Sequence, residues 1–176
     1  MAATRADLLA FLAGLGIKHR TFEHKAVFTV AESLEIAEAM PGGHTKNLFL
    51  KDKKDRLFLI VALNDARIEL KVAHKVLGCD RLSFGKAELL EEVLGVKPGS
   101  VTPFSLINDK GGRVTVVLDK PMLEHELLNY HPLENTATTA IARDDLLRFI
   151  RATGHEPRIL AVSDGRFTLD GEPASG

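Results

Sequence analysis

Lys46 is the residue whose setting most invites chemistry. In GGHTKNLFLKD, residues 42–52, a lone lysine stands between a Gly-Gly hinge and an apolar run that reads as a strand. The period-two alternation of a strand puts Lys46, Leu48 and Leu50 on one face, so an ammonium shares its side with core leucines. Two roles fit that position. The lysine either lays its stem along the strand mouth with its charge in water, or holds a fixed cation against an anionic group. A second segment, KPGSVTPF at 97–104, sets Gly99 and Pro103 around small and β-branched residues. Backbone N–H groups there, those of Gly99 and Ser100 among them, could meet a developing negative oxygen. A third segment, NYHPLENTAT at 129–138, fixes His131 ahead of a proline, with Asn135 opening a strand. For the second and third segments, a plain loop and a plain turn are the alternative readings.

Other chemistries find less support. His74 and Cys79 are five apart beside Asp80, and His125 lies between Glu124 and Glu126, but neither group has three or four ligands at zinc spacing. No metal and no cofactor are expected. Cys79 follows a helix-ending glycine with no evident base, and no Gly-x-Ser-x-Gly turn is present to activate a serine. PGGHTK lacks the spacing that cradles a nucleoside triphosphate.

The 176 residues are 45% hydrophobic and 27% charged, which suits one domain with a continuous core. With 23 Lys+Arg against 24 Asp+Glu, the net charge is −1 and the whole-molecule field does not favour nucleic acid, so any such contact must be local. The basic cluster Lys46, Lys51, Lys53, Lys54 and Arg56 is the place for it, a solvated hairpin being the alternative. The single cysteine excludes an internal disulfide and suits a reducing compartment. The amino terminus reads as an amphipathic helix rather than a leader, and no run approaches the ~20 apolar residues of a membrane span. A soluble, cytoplasmic monomer is the expectation.

Around these segments the chain reads as follows. Thr4 caps a first helix ending at Gly14 and Gly16, and an extended IKHRTFEH leads to a second helix boxed by Thr29 and Glu32 and stopped at Pro41 to Gly43. NLFLKD and RLFLIVAL form a hairpin, the second strand apolar throughout as if buried on both faces. A helix is predicted over 65–77 with Asp65 as cap and Gly78 as stop, then a short strand at DRLSF and a helix at KAELLEEVLG. VKPGSVTPFSLIND should be mostly loop, RVTVVLDK a strand, PMLEHELLNYHPL a helical turn or two, and NTATTAIA a strand. A helix beginning at Asp144 and a final strand RILAVS complete the domain, expected over residues 1–163, with 164–176 as a C-terminal tail. Strands joined by connections too short for parallel crossovers imply an α/β domain with a curved, mixed, mostly antiparallel sheet surrounded by helices.

EHKAVFTVAES, GGHTKNLFLKD, LGVKPGSVTPF and YHPLENTATTAI, followed by the helix LLRFIRATGHEP, occur in an order that resembles the freestanding prolyl-tRNA editing proteins of the YbaK/ProX deacylase family, nearest the branch that removes alanine from tRNA(Pro). The resemblance runs from about residue 3 to residue 163. It implies an acyl pocket at the sheet's mouth where the 3′ end of an aminoacyl-tRNA is hydrolysed. The family's essential lysine falls on Lys46, its Gly-x-x-x-Pro loop on Gly99 to Pro103 and its His-Pro segment on His131 and Pro132. Lys25 departs from the proline of many relatives. By the same resemblance Leu34, Asn47, Pro103, Tyr130 and His131 bind substrate, Leu34 being either a pocket wall or ordinary core, and Lys51, Lys53 and Lys54 contact tRNA. The implied activity is hydrolysis of Ala-tRNA(Pro) with proline excluded by pocket size. Cysteinyl-tRNA(Pro), seryl- or threonyl-tRNA, or a noncatalytic tRNA-end binder are the alternatives. An aminoacyl ester is already activated, so positioning and charge suffice. In that scheme Lys46 acts as a cation rather than a base, N–H groups of Gly99 and Ser100 take the oxyanion, and the substrate's vicinal hydroxyl assists water. The implied partners are the tRNA(Pro) acceptor end and, beside it, prolyl-tRNA synthetase or an elongation factor.

Overall fold

A computed structural model describes residues 2–26 and 30–163. The Thr29 capping call and the 164–176 tail lie outside the described residues. Helix α1 (Arg5–Gly14) begins as its sequence dictates, with Thr4 Oγ1 accepting from Asp7 N–H and the Asp7 carboxylate accepting from Thr4 N–H. Strand β1 (His19–Glu23) and helix α2 (Val30–Ala39) precede the long strand β2 (Gly43–Lys51). β3 (Leu57–Leu63), α3 (Leu70–Leu77), β4 (Ser83–Phe84) and α4 (Ala87–Leu94) follow. Then come β5 (Val114–Asp119), β6 (Leu127–Tyr130), β7 (Ala137–Ala142), α5 (Arg143–Ala152) and β8 (Arg158–Leu160).

The strands form one eight-stranded mixed sheet in the order β1-β7-β6-β2-β3-β5-β8, with β4 pairing on β2. Four of its seven pairings are antiparallel, as expected; β2 with β6, β3 with β5 and β5 with β8 are parallel. Alternation along β2 and β3 divides the core. Phe49, Leu57, Leu59 and Val61 join Leu8 and Leu12 of α1, Leu90 and Leu94 of α4, and Phe149 and Ile150 of α5. Leu50, Phe58 and Ile60 turn to the other face and pack with Ala73 and Leu77 of α3 and with Val162. β3 is thus buried on both sides, which its unbroken apolar run required.

Three elements depart from expectation. α3 starts at Leu70 rather than Asp65, because Ile68 is drawn into a bridge with Ser163 and Ala66 N–H closes a turn on Leu63 O. The predicted loop after Val96 contains a 3-10 helix, Pro103–Asn108, capped by Thr102 Oγ1 on Phe104 N–H. The helical turn read into PMLEHELLNYHPL is confined to Lys120–Glu124, and Leu127–Tyr130 is a strand. That strand completes the sheet between β2 and β7, and pairing on both edges outweighs its local preference.

Candidate active site

β2 serves two neighbours in turn. Gly43 and His44 pair with Leu128 and Asn129 of β6, and from Thr45 onward β2 pairs with β3. A cleft of about 90 Å³ opens next to the place where β2 leaves β6. Just before β2, outside the cleft lining, the chain packs tightly: Gly42 has φ 101°, and a Cβ there would lie 2.7 Å from Leu127 O, so only glycine lets the strands start this close. Ile36 of α2, His44, Thr45, Asn47, Asn64, Asn129, Tyr130, His131 and Thr138 line the cleft.

Most side-chain donors in this lining are engaged by protein. Thr45 O–H donates to Asn129 O at 2.5 Å, and Tyr130 O–H, fully buried, donates to Met122 Sδ at 3.2 Å. Asn129 Nδ2 donates to Pro41 O (3.1 Å) and Gly43 O (3.2 Å), which fixes the orientation of its amide because carbonyls only accept. His44 Nε2 faces Met40 O, and His131 Nδ1 faces Ala137 O at 2.9 Å. Burial holds His131 below the ordinary histidine value, against the Ala137 carbonyl that favours its charged form. The neutral ring therefore carries its proton on Nδ1 and its lone pair on Nε2. Thr138 Oγ1 is 2.8 Å from His24 Nε2, and His24 Nδ1 donates to Lys25 O. On the acceptor side, Asn47 Oδ1 and Asn129 Oδ1 are both buried without a hydrogen-bond partner among the described residues.

The expected site residues divide. Asn47, Tyr130 and His131 come together in the cleft. Lys46 does lie on the Leu48 and Leu50 face, which is opposite Asn47, and its ammonium is held by Ala66 O. Ala66 is two residues past the lining residue Asn64, so Lys46 sits at the rim of the cleft without lining it, and its side chain is half-buried. Leu34 is neither wall nor core: it is 58% exposed, and Ile36, two residues on, takes the lining position. Ser100 N–H donates to Lys97 O and is not available to an oxyanion. Gly99 has φ 93° and approaches the Asn135 amide instead of the cleft, while Pro103 is buried at the start of its 3-10 helix. Asn129, Asn64 and Thr138 were missed; the alternation of LLNY pointed inward only once that segment was known to be a strand.

Lys53 and Lys54 are exposed on the β2–β3 turn, and Lys51 lies 3.8 Å from Asp55. The turn is organised by buried Asp52, which accepts from Lys54 N–H, Arg56 N–H and Arg56 Nε. Burial alone would raise the Asp52 pKa, but these bonds outweigh it and leave the group below its ordinary value. Asp52 is five residues from Asn47, ~16 Å along a strand. His74 Nδ1 is turned to Cys79 O at 3.1 Å, and burial raises the Cys79 thiol pKa. Among the described residues no three of His, Cys, Asp and Glu are grouped to hold a metal, and no helix is long and apolar enough to cross a membrane.

A sequence model described as the aminoacyl-tRNA editing domain matches residues 24–149, a span that holds every residue of the cleft lining. The chain belongs to that family. This editing domain is 41% identical over 159 residues to prolyl-tRNA synthetase associated domain-containing protein 1 of Danio rerio, covering 89% of this chain and 86% of the relative. It is 34% identical over 149 residues to prolyl-tRNA editing protein ProX of Acetoanaerobium sticklandii, covering 84% of this chain and 91% of that one. A solved structure described as a candidate trans-editing enzyme for prolyl tRNA synthetase superposes with TM-score 0.69 over 94% of this editing domain and 100% of that chain; at 20% identity it speaks to the fold.

Proposed function

We propose that this editing domain is a freestanding hydrolase that removes alanine from mischarged tRNA(Pro). Family membership and the relative named as a prolyl-tRNA editing protein support the class of reaction. The observation that carries the site is the small polar cleft holding Asn47, Asn64, Asn129 and His131, with Lys46 at its rim. An aminoacyl ester needs no protein nucleophile. Water adds to the ester carbonyl, the bond to the ribose oxygen breaks, that oxygen regains a proton, and free alanine leaves. The ribose's vicinal hydroxyl orients the water. With Ser100 N–H taken, the side-chain amides of Asn47 and Asn64 are the donors nearest to hand for the oxyanion, a kind of contact whose removal costs ~10²- to 10³-fold.

Lys46 acts from the rim as a cation for the terminal ribose-phosphate, its four-carbon stem letting it move from the Ala66 carbonyl to an anionic oxygen. Lys51, Lys53 and Lys54 meet the phosphate backbone farther out. Replacing Lys53 and Lys54 with alanine should reduce the salt dependence of tRNA binding. The tRNA(Pro) acceptor end is the partner this requires, with prolyl-tRNA synthetase or an elongation factor alongside. Selectivity rests on size: Ile36 and Tyr130 are the bulky apolar walls, and a wall that clashes excludes a larger side chain far better than a missing methylene attracts a smaller one.

The deciding experiment offers purified protein alanyl-, cysteinyl-, seryl- and prolyl-tRNA(Pro). Rapid hydrolysis of the alanyl ester, sparing of the prolyl ester and loss of activity in Lys46→Ala are expected. Preference for the cysteinyl or seryl ester would overturn the substrate assignment. Binding of tRNA without hydrolysis would make the protein a noncatalytic module.

A further inference from the structure

Along one edge, β2 has two partners with a gap between them. β6 holds Gly43 and His44, β4 holds Leu50 and Lys51, and β3 takes the opposite edge. Thr45 to Leu48 have no strand on that side, and the cleft-lining Thr45 and Asn47 lie in this interval. The far bank of the gap is β4, and it presents a phenylalanine to solvent. Phe84 is 62% exposed, the most open of the large apolar side chains among the described residues. Its backbone is nevertheless fixed. Phe84 pairs with Leu50, Gly85 N–H donates to Phe49 O at 3.0 Å, and a Cβ at residue 85 would run into the buried Phe49 ring, so glycine there lets β4 lie flat on the core. Directly opposed residues of an antiparallel pair share a face, which puts Phe84 on the side of Leu50, Leu48 and Lys46. Leu50 is four strand residues from Lys46, ~13 Å.

The surroundings are cationic. Lys86 is two residues on, and Arg81 and Leu82, just before β4, share a surface groove with Lys71, His74 and Lys75 of α3. Lys71, Lys75, Arg81 and Lys86 are exposed, and among the described residues none has a carboxylate within ion-pairing distance. Arg5, Arg56, Arg113, Arg148 and Arg151, elsewhere on the surface, are all paired. A lone exposed apolar residue is ordinary. A fixed aromatic ring among unneutralised cations is the arrangement that takes single-stranded nucleic acid, phosphates on the cations and a base on the ring. β4 has only two residues, too short an edge for another strand to extend the sheet.

We propose that Phe84 stacks an unpaired nucleobase of the substrate's 3′ end, one of the two cytidines that precede the terminal adenosine, as the RNA strand leaves the cleft along the open edge of β2. This rests on the deacylase reading above and assigns an occupant to a surface outside the cleft. Every base has a π-face, so the contact adds affinity without selecting sequence. Leu50, the partner of Phe84, is three strand residues from Asn47, ~10 Å, so the ring acts on binding and does not touch the reacting atoms.

The chain has no tryptophan, so Phe84→Trp places a single indole at the proposed platform. Titration of that variant with uncharged tRNA(Pro) should quench its emission saturably. The quench should be absent with the same RNA trimmed of its unpaired 3′ nucleotides, and lost when one of the two cytidines is made abasic. In kinetics, Phe84→Ala should raise KM for alanyl-tRNA(Pro) by roughly 10- to 100-fold with kcat nearly unchanged, and Phe84→Trp should restore it. 3′-Alanyladenosine, which has no preceding nucleotides, should be hydrolysed equally by wild type and Phe84→Ala; a merely structural role would move both substrates together. Equal KM values for wild type and Phe84→Ala on alanyl-tRNA(Pro), or an equal quench by the trimmed RNA, would overturn the inference and leave the deacylase reading standing. A wild-type dimer that Phe84→Ala dissociates in sedimentation would overturn it too, by assigning the ring to a second copy. If the wild type hydrolyses no ester, the deacylase reading falls, and the fluorescence titration by itself decides the stacking.

Discussion

Two buried polar clusters in this molecule are built on opposite plans. At one, Asp109 takes Arg113 N–H at 3.0 Å on one oxygen and Val114 N–H at 2.8 Å on the other, where His155 Nε2 also approaches to 2.8 Å. The second His155 nitrogen is 2.9 Å from Thr153 Oγ1, so the cluster is closed on itself. At the cleft, Asn129 anchors the start of β2 through its nitrogen and leaves its oxygen unserved. A closed network fixes a structure, here the turn into β5 and the end of α5. An open one keeps an unmet demand in place for a ligand. Burial of polar groups is therefore not in itself a mark of function, and neither is an unmet bond alone, since Asp119 Oδ2 and His19 Nδ1 are also buried without a partner among the described residues and lie outside the cleft lining.

The contrast breaks if the two clusters respond alike to substitution. Asn47→Ala should lower alanyl-tRNA deacylation by ~10²- to 10³-fold with little change in the denaturant midpoint, as for loss of an oxyanion donor. Asp109→Ala should do the reverse: a loss of about 3 kcal/mol in chemical unfolding, because two backbone N–H groups and His155 lose their acceptor, with activity per folded molecule retained. Next in size is the wall. Ile36→Ala should raise hydrolysis of the prolyl ester relative to the alanyl ester by roughly 10-fold, while exposed Leu34→Ala should change neither that ratio nor stability beyond ~0.5 kcal/mol.

The smallest effect sharpens the electrostatics. His131 is held below its ordinary value by burial, so the folded protein keeps it neutral where the unfolded chain takes a proton. Its contribution to stability is present above the ordinary histidine value, about 6.5, and is lost as pH falls below that value toward the folded one. Activity should accordingly persist below pH ~6.5 before its acid limb begins, measured as initial deacylation rate against pH. An acid limb centred at or above about 6.5 would count against a neutral His131 in the folded cleft.

Much of this was legible in the sequence because it is local. The Thr4–Asp7 box, the glycine stops at Gly78 and Gly95 in left-handed conformation, and the unbroken apolar run of β3 each carry their own signal. Strand β6 did not, since LLNY is a strand only through neighbours far away in the chain, and with it went Asn129. The lysine face was read correctly, but periodicity gives which residues share a side and not which side holds the cavity. For the same reason Leu34 and Ile36 could not be told apart: on α2 they lie about 200° apart around the axis. Ser100 was misjudged because an N–H in a Gly-containing loop can be claimed by its own turn.

Gly42 and the backbone of Leu127 act as the spine of a book, close-set just where β2 and β6 begin to pair. Bulk inserted at a spine shifts both covers together, so a side chain at residue 42 would displace the start of β2 and the Asn129 that ties it without itself lining the cleft. The shape of the cleft can thus be changed from a position outside it, and a survey confined to the lining residues would overlook that position.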